Sequence, residues 1–168
     1  MSQRAPLFLD PYKAAERGAA FSGEFALSVF HRLASVGDAR EGVVNASFAF
    51  RRDPLLRHCV EGTVSAELAL VCQRCLEPFR RRYEARFLLK LVGSEAEAEQ
   101  ADEGVDPVVA PDRRLDVVRM LEDELLLAIP DIPRHDEAGQ CGWRGWREQP
   151  ESGVAESPFA VLASLKKH

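Results

Sequence analysis

Between Val44 and Leu91, apolar and polar residues alternate through three consecutive runs, and a period of two held this long leaves few folds open. Val44, Ala46, Phe48 and Phe50 alternate with Asn45, Ser47, Ala49 and Arg51. Asp53-Pro54 breaks the run. Val60, Gly62, Val64, Ala66, Leu68 and Leu70 then alternate with Glu61, Thr63, Ser65, Glu67 and Ala69. A third run sets Phe79, Tyr83, Ala85, Phe87, Leu89 and Leu91 against Arg80, Arg82, Glu84, Arg86 and Lys90, and only Arg81 breaks its apolar side. Successive side chains of a strand point to opposite faces, so each run reads as a strand with one buried and one wet face. Short connections join the three into an antiparallel meander, polar on one side.

The flanks read as helical. Leu27, Phe30, Leu33 and Ala34 have helical spacing within Phe25 to Val36. Leu115, Val118, Leu121, Leu125 and Ile129 mark an amphipathic helix, with Asp116 placed to cap it and Pro130 to stop it. The acidic run from Glu95 to Glu103 contains no basic residue and reads as a solvated loop at about 94–106. The expected fold class is therefore α+β: an antiparallel β-meander packed with two or three helices, with an irregular C-terminal tail. Residues 1–142 are expected to form one domain. Residues 143–168 are expected to be partly irregular, with a short terminal helix in Ser157 to Lys167.

Composition agrees with a packed domain: of 168 residues, 46% are hydrophobic and 29% charged, so a real core can form. No stretch approaches the roughly 20 apolar residues that cross a bilayer. The segment Met1–Asp10 lacks the apolar core and cleavage site of a signal peptide, which makes the cytoplasm the expected compartment. The four cysteines, Cys59, Cys72, Cys75 and Cys141, are too few for a disulfide scaffold of this length. A net charge of -5 speaks against indiscriminate coating of nucleic acid.

Two features carry chemistry. Cys72-Gln-Arg-Cys75 falls where the second strand ends and the third begins. Two thiolates at this spacing can hold one zinc ion because the turn between them aims both sulfurs inward. His135 and Cys141 are the candidates for the other two ligands, about sixty residues on, giving a candidate structural zinc site. The other reading is a hairpin whose cysteines pack as small hydrophobes. A thioredoxin-like redox pair suits the sequence less, since that motif opens a helix and this one joins two strands.

The second feature is the basic strand. Arg74, Arg80, Arg82, Arg86 and Lys90 are candidate contacts for RNA or another partner, and the last four fall on one strand face, where guanidinium groups can meet phosphates. The same pattern also suits an ordinary solvated face. Tyr83 and Phe87 point the other way, so this face offers no stacking platform for base readout. Trp143 and Trp146, flanked by Arg144 and Arg147, read equally as a contact patch or as a tail docked on the core.

Catalytic signatures are lacking. Glu122-Asp123-Glu124 sits on the polar side of its helix, and adjacent helical carboxylates do not converge on one point. His31 and His58 have no activated serine or cysteine in a recognisable setting, and no phosphate loop or dinucleotide fingerprint is present. No enzyme activity, small-molecule substrate or membrane association is expected.

These residues together resemble the YceD family, the large ribosomal RNA subunit accumulation proteins of bacteria. The resemblance rests on Val71-Cys-Gln-Arg-Cys-Leu-Glu-Pro-Phe79, on Leu115-Asp116, on Met120-Leu-Glu-Asp-Glu-Leu-Leu-Leu-Ala-Ile-Pro130, and on Ile132-Pro-Arg-His-Asp136 with Cys141. Leu9-Asp-Pro11 and Pro158-Phe-Ala-Val-Leu-Ala-Ser-Leu-Lys166 extend it over nearly the whole chain. Ser157 departs from the family, where an asparagine usually precedes Pro-Phe. The resemblance implies a non-enzymatic role in synthesis, processing or stability of large-subunit ribosomal RNA, and hence in ribosome biogenesis. Two partners are open: a large-subunit ribosomal RNA precursor, or a basic ribosomal protein bound by a protein-interaction module through the acidic Glu95–Glu103 segment.

Overall fold

The computed structural model describes residues 3–36, 42–55, 57–101, 104–135 and 141. The three alternating runs form β4 (Val43–Arg52), β5 (His58–Val71) and β6 (Pro78–Val92), paired antiparallel in sequence order. They are the centre of a six-stranded sheet that β1 (Gln3–Arg4), β3 (Ala20–Ala26) and β7 (Asp106–Val109) complete, in the order β1-β3-β4-β5-β6-β7. The two outermost pairings, β1 with β3 and β6 with β7, are parallel. Both edges are short, and β7 carries Pro107, which cannot donate to a further strand; each is a common defence of a sheet edge. A second ladder, antiparallel, joins β2 (Phe8–Leu9) to β8 (Leu115–Asp116).

The period of two in the sequence becomes the two faces of the sheet. Val44, Phe48 and Phe50 of β4, Val60, Val64, Leu68 and Leu70 of β5, and Tyr83, Phe87 and Leu89 of β6 are buried on one side. Among the described residues, two helices cover this side. Helix α1 (Pro11–Glu16) starts with Asp10 accepting from the Lys13 N–H at 3.0 Å and with proline at its first position, a strong start signal. It contributes Ala14 and Ala15 to the core. Gly62 permits the close approach of β4, since a Cβ there would lie 2.4 Å from the Ser47 carbonyl oxygen and 2.7 Å from the Phe48 Cα.

Two sequence expectations are corrected. The helix expected over Phe25 to Val36 does not form. Phe21 and Phe25 are inward-facing residues of β3, Leu27–Val29 is a 3-10 turn, and only α2 (Leu33–Val36) is helical. Phe30, fully buried, plugs the core between the two turns, so its helical spacing from Leu27 and Leu33 reflects shared burial. The acidic segment expected as a loop at about 94–106 contains one helical turn, α3 (Glu95–Glu99). Ser94 caps it by accepting from the Glu97 N–H, and the Glu97 carboxylate accepts from the Gly93 N–H at 2.7 Å.

The longest helix among the described residues, α4 (Val117–Ala128), matches expectation closely: Asp116 caps it through the Arg119 N–H at 3.0 Å, and it ends just before Pro130. Val117, Met120, Leu121 and Leu125 face the sheet. No helix among the described residues is long and apolar enough to cross a membrane. The expected terminal helix, Trp143 and Trp146 lie outside the described residues.

Candidate metal centre

The turn between β5 and β6 is a six-residue knuckle. Its base is the Val71–Pro78 pair, and above it the Cys72 N–H donates to the Glu77 carbonyl at 3.0 Å. The Leu76 N–H donates back to the Cys72 carbonyl at 2.8 Å, and Leu76 adopts a left-handed φ of 62°. Leucine rarely takes that conformation, and its side chain is 73% exposed, so local packing does not explain the strain.

After α4, the chain runs back over this knuckle. The Gln73 N–H donates to the Pro133 carbonyl at 2.8 Å, and the His135 ring lies tilted on Phe79 with centroids 4.9 Å apart. These contacts bring His135 to Cys75, with Nδ1 3.6 Å from Sγ, while Cys141 Sγ lies 4.0 Å from Cys72 Sγ. The four ligand atoms of Cys72, Cys75, His135 and Cys141 all lie within 4.8 Å of one another.

These separations can be tested against what a metal would demand. Tetrahedral zinc with bonds of about 2.3 Å to sulfur and about 2.0–2.1 Å to nitrogen sets ligand pairs about 3.8 Å (S···S) and about 3.6 Å (S···N) apart. The 4.0 and 3.6 Å separations are close to both. Cys72 and Cys141 are buried and Cys75 and His135 partly so. Burial pushes the Cys72 thiol up, but the backbone N–H groups of Cys75, His135 and Arg74 and the His135 side chain outweigh it and bring the thiol down to about 5. Burial raises the Cys75 thiol, helped by the neighbouring Cys141 and Cys72 sulfurs. One ready thiolate among crowded thiols is the donor set that a thiophilic cation relieves. The cluster can hold a metal, and four protein ligands would leave no open coordination position.

The same hairpin displays the basic strand. Arg80, Arg82 and Arg86 are exposed on the open face of the sheet, spread over roughly 20 Å at the usual strand rise. They are not free of acids. Arg80 lies 3.6 Å from Glu67, Arg82 and Arg86 each lie 3.8 Å from Glu84, and Arg82 donates to the Ser65 hydroxyl at 3.0 Å. Arg74 is exposed on the knuckle, whereas Lys90 is half-buried near the far end of β6, opposite Cys59. The structure thus sets Arg74, Arg80, Arg82, Arg86 and Lys90 on one hairpin, with Lys90 the least exposed of them, at the far end. Arg81 turns to the other side, 5.9 Å from the Tyr83 ring.

A family model for the large ribosomal RNA subunit accumulation protein YceD matches residues 60–166. A protein of that name from Haemophilus influenzae is 31% identical over 176 residues, covering 98% of this chain and 97% of the relative. The chain belongs to the YceD family. The matched region starts within β5 and takes in all four cluster residues. No solved structure matches the chain.

Sequence reasoning about this YceD-family chain missed one structural carboxylate. Glu122 does not lie on a solvated face: it is 5% exposed and accepts from the Arg32 and Leu33 N–H groups at 2.7 and 3.2 Å and from Arg32 Nε at 2.8 Å. The available signal was its position on α4 beside Leu121 and three residues before Leu125, at the border of the apolar stripe.

Proposed function

We propose that this chain supports the synthesis, processing or stability of large-subunit ribosomal RNA, and thus ribosome biogenesis, as a non-enzymatic factor of the cytoplasm. In this reading a structural zinc ion, held by Cys72, Cys75, His135 and Cys141, fixes the β5–β6 hairpin and the segment after α4 to each other. The arginine row of β6, Arg80, Arg82 and Arg86, then meets phosphates of a large-subunit ribosomal RNA precursor, with Arg74 at the tip and Lys90 at the far end. The supporting observation is that the metal-ligand cluster sits at the turn of the hairpin that displays those arginines. A closed four-ligand site suits structural zinc and leaves no place for activated water, which agrees with a factor that catalyses nothing. The printed names of the family and of its Haemophilus relative, which concern accumulation of the large ribosomal RNA subunit, support the assignment.

A second reading has its own observation. Glu67 and Glu84 already pair with the arginines, the acidic α3 buries none of its residues, and the net charge is -5. These favour a basic ribosomal protein as partner. Salt dependence separates the two. Purified metal-loaded protein is titrated with a large-subunit ribosomal RNA fragment over a range of salt. Contact of three arginines with phosphates gives a log–log slope of about -2 to -3. A flat slope, together with tight binding to a basic ribosomal protein, would decide for the second reading.

A further inference from the structure

A separate feature lies on the β2–β8 ladder. Its register pairs Phe8 with Asp116 and Leu9 with Leu115. Leu115 is buried, so Phe8 and Asp116 face the other side, where Phe8 stays 47% exposed. Arg114, two residues before Asp116, lays its guanidinium 4.2 Å from the Phe8 ring centroid. The turn before Arg114 holds Asp112 and Arg113 in left-handed conformations, at φ 52° and 58°. Neither is glycine, and such a turn persists only where its surroundings over-determine it. Here Arg113 supplies the restraint: its Nε donates to Asp10 at 3.2 Å and its guanidinium lies 5.2 Å from the Tyr12 ring centroid. The turn therefore fixes the start of β8, and with it the Phe8–Arg114 stack.

Beside that stack is a cavity of about 360 Å³, lined by Arg114, Asp116, Arg119 and Glu95 over an apolar floor that includes Val109 and Met120. Two other carboxylate groups at the cavity are already engaged, Asp116 by the Arg119 N–H and Asp123 by Arg32. Among the described residues the Arg119 guanidinium has no ion pair, and it borders the cavity as an available cation. An apolar floor, a stacked aromatic–guanidinium pair, a guanidinium for an anion and an acceptor carboxylate are the complements of base, phosphate and exocyclic amino group.

We propose that this cavity takes one unstacked nucleotide of single-stranded RNA, its base on the Arg114 guanidinium that Phe8 backs and its phosphate at Arg119. The proposal rests on the reading in which the partner is RNA, and it adds a second contact away from the β6 arginines. The cavity is within the size range of small-molecule sites.

The test uses the full metal-loaded chain and an eight-nucleotide single-stranded RNA of mixed sequence, followed by NMR and by fluorescence titration at low salt. Resonances of the Phe8 ring and of the Arg114 and Arg119 Nε–H groups should shift. Arg114→Ala and, independently, Arg119→Glu should each weaken binding about tenfold, the scale of one stacked base or one phosphate contact, with an unchanged melting temperature. RNA binding that survives both substitutions overturns the nucleotide site alone. If the wild-type chain binds no RNA, the site and the RNA reading of function both fall. Shifts with AMP or GMP but none with the RNA overturn the RNA assignment and leave a free nucleotide as the ligand.

Discussion

Glu122 joins two parts of the chain that are 89 and 90 residues apart in sequence. Its carboxylate terminates the N–H groups of Arg32 and Leu33, where α2 begins, and pairs with the Arg32 guanidinium. A buried carboxylate with three donors is costly to remove, because the donors then lose their acceptor inside the fold. Glu122→Ala should lower unfolding free energy by about 2–4 kcal/mol in urea denaturation, and Glu122→Gln by less, since the amide oxygen still accepts. Gly62 is a second single-residue constraint. Gly62→Ala would drive a Cβ into the β4 backbone and should cost about 2–3 kcal/mol by the same measurement. Asp53 supplies an acid-sensitive contact. Burial opposes its charge, but the Arg57 N–H, the Arg57 side chain and the Leu55 N–H together hold its carboxyl below the ordinary value. A depressed carboxyl stabilises the fold above its unfolded value and loses that contribution as pH falls through the folded one, so Asp53→Asn should flatten the acid limb of a pH–stability profile.

At the scale of elements, the alternating runs and α4 were legible because each signal is local. The period of two fixes β4, β5 and β6 wherever their partners lie, and Asp116 with Pro130 brackets α4 by chemistry within a few residues. The misread segment, Phe25 to Val36, is held by distant groups instead. Phe25 is a strand residue because Val44 pairs with it, and α2 forms where Glu122 accepts its first N–H groups. Spacing alone could not separate a helix from a strand followed by two turns, since Leu27, Phe30 and Leu33 are buried in either case. The candidate site divides the same way. The sequence suggested Cys72 and Cys75 by spacing and offered His135 and Cys141 as the other ligands, but only the fold shows that Gln73 and Phe79 draw Pro133 and His135 onto the knuckle. If the proposed metal fills the cluster, its removal with a chelator, or Cys72→Ser, should lower the melting temperature by about 5–10 °C, or about 2–3 kcal/mol at this chain length. Hydrogen exchange should quicken at Gln73 and Leu76 while the β4–β5 amides keep their protection.

For the whole molecule, the sheet separates two kinds of surface. One face is sealed by α1 and α4 around the aromatic residues of β3 and β4; the other, left open by the described residues, carries Asn45, Ser47, Thr63, Arg80, Arg82 and Arg86. With a net charge of -5, RNA binding as proposed would draw on local cationic groups such as this row rather than on the total field. Exposed ion pairs such as Arg80–Glu67 contribute about 0–1 kcal/mol each, so the row can change partner at little cost to the fold. Charge reversal on it is therefore informative. Cells expressing the chain with Arg80→Glu, Arg82→Glu and Arg86→Glu together are compared with wild type for co-sedimentation with large-subunit precursors at physiological salt. Loss of association by at least about tenfold, with near-native melting of the purified variant, is the result expected if the arginine row of β6 meets precursor RNA. Undiminished co-sedimentation would contradict contact through this strand.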